Sequence, residues 1–94
     1  MLQLTEMNID DLNKLRQMRM ERLIGLFSAS LPFCLLQIDD ENILSIHCYH
    51  AGITDRLIAE LEDLCYYACL IVGAKFISLH SLQKEILRVN AFIL

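Results

Sequence analysis

Apolar and polar positions change their spacing along the chain, and each change marks an element. At 100° per residue, Ile9, Leu12, Leu15, Met20, Leu23, Leu26 and Phe27 share one broad face, with Asp10, Lys14, Gln17 and Glu21 opposite. This predicts an amphipathic helix to about Ser28. Asn8 suits its N-cap, Asp10 and Asp11 lie where the helix dipole favours negative charge, and Met7 with Leu12 forms a hydrophobic staple. Ser28, Ser30 and Pro32 end it, because the residue before a proline is pushed out of the helical region.

The spacing then drops to two. Phe33 to Ile38 and Ile43 to His50, separated by Asp39-Asp40-Glu41-Asn42, predict a β-hairpin with an acidic turn. Pairing Ile38 with Ile43 sets Cys34 opposite His47 and Phe33 opposite Cys48. One face then holds Phe33, Leu35, Leu44, Ile46 and Cys48. The other holds Leu36, Ile38, Ile43 and Tyr49, with Ser45 and His47 among them. Both are apolar, so the expected cover is a helix on each side.

A second helix is expected from Thr54 as N-cap, with Ile53 and Ile58 as its staple, to Gly73 as its left-handed C-terminal residue. Leu57, Leu61, Leu64, Ala68 and Ile71 form its stripe. From Leu64 to Val72 it is apolar all round, and Tyr66, Tyr67 and Leu70 point away from that stripe. Lys75 to His80 reads as a strand, with Ile77 and Leu79 on one side and Phe76, Ser78 and His80 on the other. The segment after Ser81 fits a short helix over Glu85 to Val89, a strand or docking tail over Val89 to Leu94. The expected fold is a single α+β domain over residues 1–94, a small sheet packed with two main helices in the order α-β-β-α-β plus that last element.

Composition sharpens this picture. The chain has 94 residues, of which 55% are hydrophobic, above the roughly 45–50% of soluble domains. A small domain has much surface per volume and needs more polar residues, not fewer. The surplus calls for a membrane or a partner. The apolar run Leu64 to Ala74 is far shorter than the roughly 20 residues of a spanning helix, and the first residues lack a basic start followed by an apolar stretch. A cytoplasmic protein without membrane association is expected, with Cys34, Cys48, Cys65 and Cys69 as free thiols. A net charge of −4 and scattered basic residues argue against nucleic acid as a partner.

Few residue patterns suggest chemistry. There is no glycine-rich phosphate loop and no serine in a nucleophile-elbow setting, so no catalytic residue, enzymatic activity or cofactor is expected. Cys34, His47, Cys48, His50 and His80 are metal-ligand types, but strand alternation sorts them into pairs rather than a four-ligand site, so no metal centre is assigned. Cys65 and Cys69 share a face of an apolar helix and suit packing. Asp39, Asp40 and Glu41 suit a solvated turn.

Charge is more informative on the first helix. Arg16 and Arg19 project from the edges of its apolar stripe, and residues 39–63 hold seven acidic groups against Arg56 alone. This predicts a helix-mediated contact in which these arginines face Glu60, Glu62 or Asp63 of a second copy. The function expected is a non-enzymatic protein–protein interaction or regulatory module, acting as a homodimer or higher self-assembly, with another protein as the alternative partner, with Arg16, Met18, Arg19, Tyr66, Tyr67 and Leu70 at the contact and the C-terminal tail beside a second chain. The alternative is a small-ligand or metal-binding sensor using Cys34, His47, Tyr49 and His80.

Overall fold

The turn between the first two strands decides how the sheet is assembled. In the computed structural model, which describes residues 9–91, Asp39 Oδ1 accepts the backbone N–H groups of Glu41 (2.9 Å) and Ile43 (3.0 Å). Asn42 N–H bonds Asp39 O at 3.0 Å, and Asp39 N–H bonds Ile43 O at 3.2 Å. Asn42 has φ 62, a left-handed conformation that asparagine tolerates. These are the features of a bulge that inserts one extra residue on the returning strand. Strand β1 (Cys34–Ile38) therefore pairs antiparallel with β2 (Ile43–Cys48) with Ile38 opposite Leu44 and Cys34 opposite Cys48. The Ile38–Ile43 register expected from the sequence is off by one residue, and a slip of one exchanges the faces of a strand. Cys34, Leu36 and Ile38 join Leu44, Ile46 and Cys48 on the core side, while Leu35 and Phe33 are exposed.

From β2 the chain crosses over through α2 (Ala51–Ala59), α3 (Leu61–Tyr67) and one π-helical turn (Ala68–Val72) to β3 (Phe76–Ser81). Strand β3 pairs parallel with β2, and β4 (Lys84–Asn90) pairs antiparallel with β3, giving a mixed sheet in the order β1-β2-β3-β4. The segment after Ser81 is thus a strand and the helix over Glu85 to Val89 is not formed. Residues 92–94 lie outside the described residues. The connection at Leu82 and Gln83 has φ 51 and φ 71, as a two-residue hairpin turn requires to match strand twist.

The crossover departs from the single helix expected. It starts at Ala51, with His50 as N-cap and no capping side chain. Thr54 lies inside it, and its hydroxyl donates to His50 O (3.2 Å), with Ser81 Oγ 3.4 Å away. The helix is interrupted at Glu60, whose N–H bonds Arg56 O at 3.0 Å. Gly73 ends it with φ 72, and Ala74 N–H reaches back to Ala68 O at 3.2 Å, a left-handed C-terminal cap as expected.

Helix α1 (Ile9–Leu26) precedes a 3-10 turn (Leu31–Phe33) that leads into β1. Its proposed N-cap Asn8 and staple residue Met7 lie outside the described residues. The apolar stripe is real but unevenly used. Leu23 and Phe27 are buried and Met20 packs against the core, while Ile9, Leu12 and Leu26 are exposed. The core lies between these helices and one sheet face, and unites Leu23, Phe27, Leu57, Leu64 and Ala68 with Leu44, Ile46, Cys48, Ile77 and Leu79. The described helices all pack there, so the two faces of the hairpin are not covered by one helix each. The other face carries Leu35, Ser45, His47, Phe76, Ser78 and His80.

Candidate functional site

Two places gather chemistry or unsatisfied surface: the second face of the sheet and the outer side of the helical layer. On the sheet, β3 alternation turns Ser78 and His80 away from the core, and an irregularity between Leu79 and His80 shifts the pairing with β4. Leu79 faces Leu87, yet His80 faces Glu85, which brings that carboxylate into line with Ser78 and His80. Ser78 Oγ–H donates to Glu85 Oε1 in a short contact, and Arg88 Nε–H donates to the same oxygen at 2.9 Å. The Ser78 hydrogen bond, followed by that from Arg88, holds the Glu85 carboxyl below its usual range.

Proton counting then orients the histidine. A carboxylate only accepts, so Ser78 must give Glu85 its single proton. Ser78 Oγ lies 2.9 Å from His80 Nε2, and with its proton committed it accepts from that nitrogen. The chain runs His80 Nε2–H to Ser78 Oγ–H to Glu85. His47 on β2 sits directly beside His80, their rings stacked at 4.4 Å with 25° between planes. Ser78 is only 1% exposed and bonded on both sides.

The residues considered for a ligand site are divided by the sheet. His47 and His80 meet, Cys34 lies on the core face, and Tyr49 is exposed beyond the end of β2. Among the described residues no three His, Cys, Asp or Glu side chains form a metal-sized group. Cys34 and Cys48 instead meet each other, with their sulfurs 3.3 Å apart. Burial, with the adjacent Cys48, pushes the Cys34 thiol up to about 12. Burial also raises the Cys65 thiol.

On the helical side, Glu62, Tyr66 and Leu70 follow one another four residues apart, flanked by Asp63 and Tyr67. Tyr66 is 43% and Leu70 59% exposed. Tyr67 meets Phe27 edge-on at 6.2 Å and Tyr66 edge-on at 5.0 Å, which fixes the aromatic pair against α1. Beyond Leu70, Arg19 and Arg22 line a cleft of about 450 Å³ with Leu70, Ile71, Val72 and Gly73. A second cleft of about 310 Å³ is lined by Arg16, Arg19, Asp39 and Asp40, with Met20, Ile38 and Val72. Met18 is exposed. Glu60 is half-buried at the α2–α3 junction, where its Oε1 has no hydrogen-bond partner among the described residues.

No family model, curated protein or solved structure matches the chain. The Ser78–His80–Glu85–Arg88 network escaped sequence reasoning because it depends on the β3–β4 irregularity. The alternation of Ser78 and His80 was visible, but which residue of the last segment faced them was not. No helix among the described residues is long and apolar enough to cross a membrane.

Proposed function

We propose that this chain is a non-enzymatic protein–protein interaction or regulatory module that acts as a cytoplasmic homodimer. The observation that carries this reading is the order of side chains along the outer helical surface. Acidic Glu62 and Asp63 stand at one end, exposed Tyr66 and Tyr67 in the middle, and Leu70 with Arg19 and Arg22 at the other. A two-fold axis through the tyrosines lays the acidic end of one copy on the basic end of the next. Such a surface is its own complement, as a two-fold dimer requires. Aromatic and arginine side chains are also the types enriched at interface centres. Arg19 lines both clefts, with Arg16, Asp39 and Asp40 at one and with Arg22 and Leu70 at the other, so Arg22 joins Arg16 and Arg19 as an arginine of the contact.

Light scattering over a range of concentrations tests it. The native chain is expected at dimer mass and Leu70→Glu at monomer mass. A chain with Arg19→Glu and Arg22→Glu should be monomeric alone and pair with one carrying Glu62→Arg and Asp63→Arg. A native chain that stays monomeric at high micromolar concentration refutes the reading.

A second reading, a small-ligand or metal sensor, draws support from the stacked His47–His80 pair with its oriented ring. The sequence-based set of Cys34, His47, Tyr49 and His80 reduces to these two imidazoles. Titration of the full chain with zinc, followed by calorimetry, distinguishes the readings. Binding that His80→Gln abolishes favours the sensor, and the absence of binding favours the interaction module.

A further inference from the structure

Cys34 and Cys48 are direct partners across the β1–β2 ladder and point to the same, core-facing side. Their sulfurs are 3.3 Å apart. The bond from Asp39 N to Ile43 O fixes the alternation of the ladder. Counting back in twos, Gln37–Ser45 and Leu35–His47 are hydrogen-bonded pairs, while Ile38–Leu44, Leu36–Ile46 and Cys34–Cys48 are the non-hydrogen-bonded ones. Partners of that kind have Cα atoms about 4.5 Å apart, within the roughly 4.4–6.8 Å that a disulfide spans. We infer that Cys34 and Cys48 are a redox modification site, closed to a cross-strand disulfide by a small disulfide oxidant such as oxidised glutathione.

The chemistry takes two exchanges. The half-buried Cys34 gives up its proton and attacks the oxidant, whose S–S bond breaks to release one glutathione thiol and leave a mixed disulfide on Cys34. Cys48 then attacks the Cys34 sulfur, loses its proton and expels the second glutathione thiol. One S–S bond is lost and one gained, and the two protein thiol protons leave on the two glutathione thiols. The high Cys34 pKa makes the first exchange slow. Closure does not require the sheet to rearrange.

The bond would act on a defined part of the fold. Cys34 is the first residue of edge strand β1, directly after the 3-10 turn that joins it to α1. Its sulfur also lies 3.5 Å from Ser30 O. A link to β2 fastens both the sheet edge and the segment that carries α1.

The test brings the reduced full chain to equilibrium in glutathione buffers of graded ratio, quenches with acid, alkylates and digests with trypsin. Residues 23–56 form one peptide holding Cys34 and Cys48, and residues 57–75 another holding Cys65 and Cys69. Oxidation is expected to leave the first peptide unalkylated and two hydrogens lighter, and the second fully alkylated. The native fold should raise the equilibrium constant for closure about a hundredfold over the urea-unfolded chain, the gain expected for a loop of this size. In Cys34→Ser, Cys48 should remain alkylatable. A persistent glutathione adduct on Cys34, a bond from Cys48 to Cys65 or Cys69, a link between two chains, or a folded-to-unfolded ratio near one overturns the inference.

Discussion

Leu23→Ala is expected to lower the unfolding free energy by about 3 kcal/mol, while Leu12→Ala changes it by no more than about 0.5 kcal/mol. Both lie on the same apolar stripe of α1, eleven residues apart. Leu23 is fully buried within the core cluster beside Phe27, whereas Leu12 is 41% exposed. Truncating Leu23 removes apolar contact and leaves a cavity that the sheet beneath cannot fill. Truncating Leu12 removes a partly exposed side chain that lies outside the core cluster, so it opens no enclosed cavity. A domain of this length is stabilised by roughly 5–14 kcal/mol in all, so the first loss is readily seen as an earlier urea midpoint. Both variants should be compared with the native chain at one protein concentration, because self-association adds to apparent stability. Equal losses at the two positions would mean that α1 is buried along its whole length.

That contrast shows what periodicity conveys and what it omits. The stripe from Ile9 to Phe27 announces a helix, because amphipathicity depends only on the angle per residue, but Leu26 within it is exposed and Ile24 outside it packs against the core. How far along the helix a neighbour extends is a tertiary property, and here the packed part is the C-terminal end. The same division holds for the sheet. The alternation of Phe76, Ser78 and His80 against Ile77 and Leu79 was legible in strand β3. The register of β1 on β2 was not, because it turned on Asn42 adopting a left-handed conformation and adding one residue to the return strand. In the crossover, Thr54 has the side chain of a good N-cap, yet Ala51 starts the helix and Thr54 bonds back to His50 O within it. Local capping preference of about 1 kcal/mol yields to the packing of a whole segment.

The candidate surfaces differ in the same way. Exposure of Tyr66, Tyr67 and Leu70 follows from their angle to the buried stripe through Leu57, Leu64 and Ala68, and needs only one helix to work out. The alignment of Leu70 with Arg19 and Arg22 needs two helices in contact, so no single-element pattern contained it. The His47–His80 stack required β2 and β3 to be parallel neighbours, a pairing the sequence permitted but did not select. Placing Cys34 with Cys48 rather than His47 needed one further piece of knowledge, the bulge at Asn42.

The reverse argument applies at the second hairpin, where the sequence is poorly suited to the conformation it adopts. Replacing Leu82 by Asn and Gln83 by Gly is expected to stabilise the protein by about 2 kcal/mol and raise its melting temperature by about 10 °C. Both residues have positive φ, 51 and 71, which costs an ordinary L-residue about 1–2 kcal/mol each. Asn-Gly is the pair that this two-residue turn favours most. The Leu82 side chain is 71% exposed, so its loss leaves no hole in the core. Asparagine keeps the backbone N–H that bonds Cys48 O at 3.0 Å. Glycine returns part of the gain, about 0.5–1 kcal/mol, through the greater freedom of the unfolded chain. Thermal unfolding followed by circular dichroism measures the sum, and Gln83→Ala, which keeps a Cβ at a left-handed position, should show no such gain. A double variant that melts at or below the native temperature would require a turn with negative φ at both positions, and with it a different register between β3 and β4.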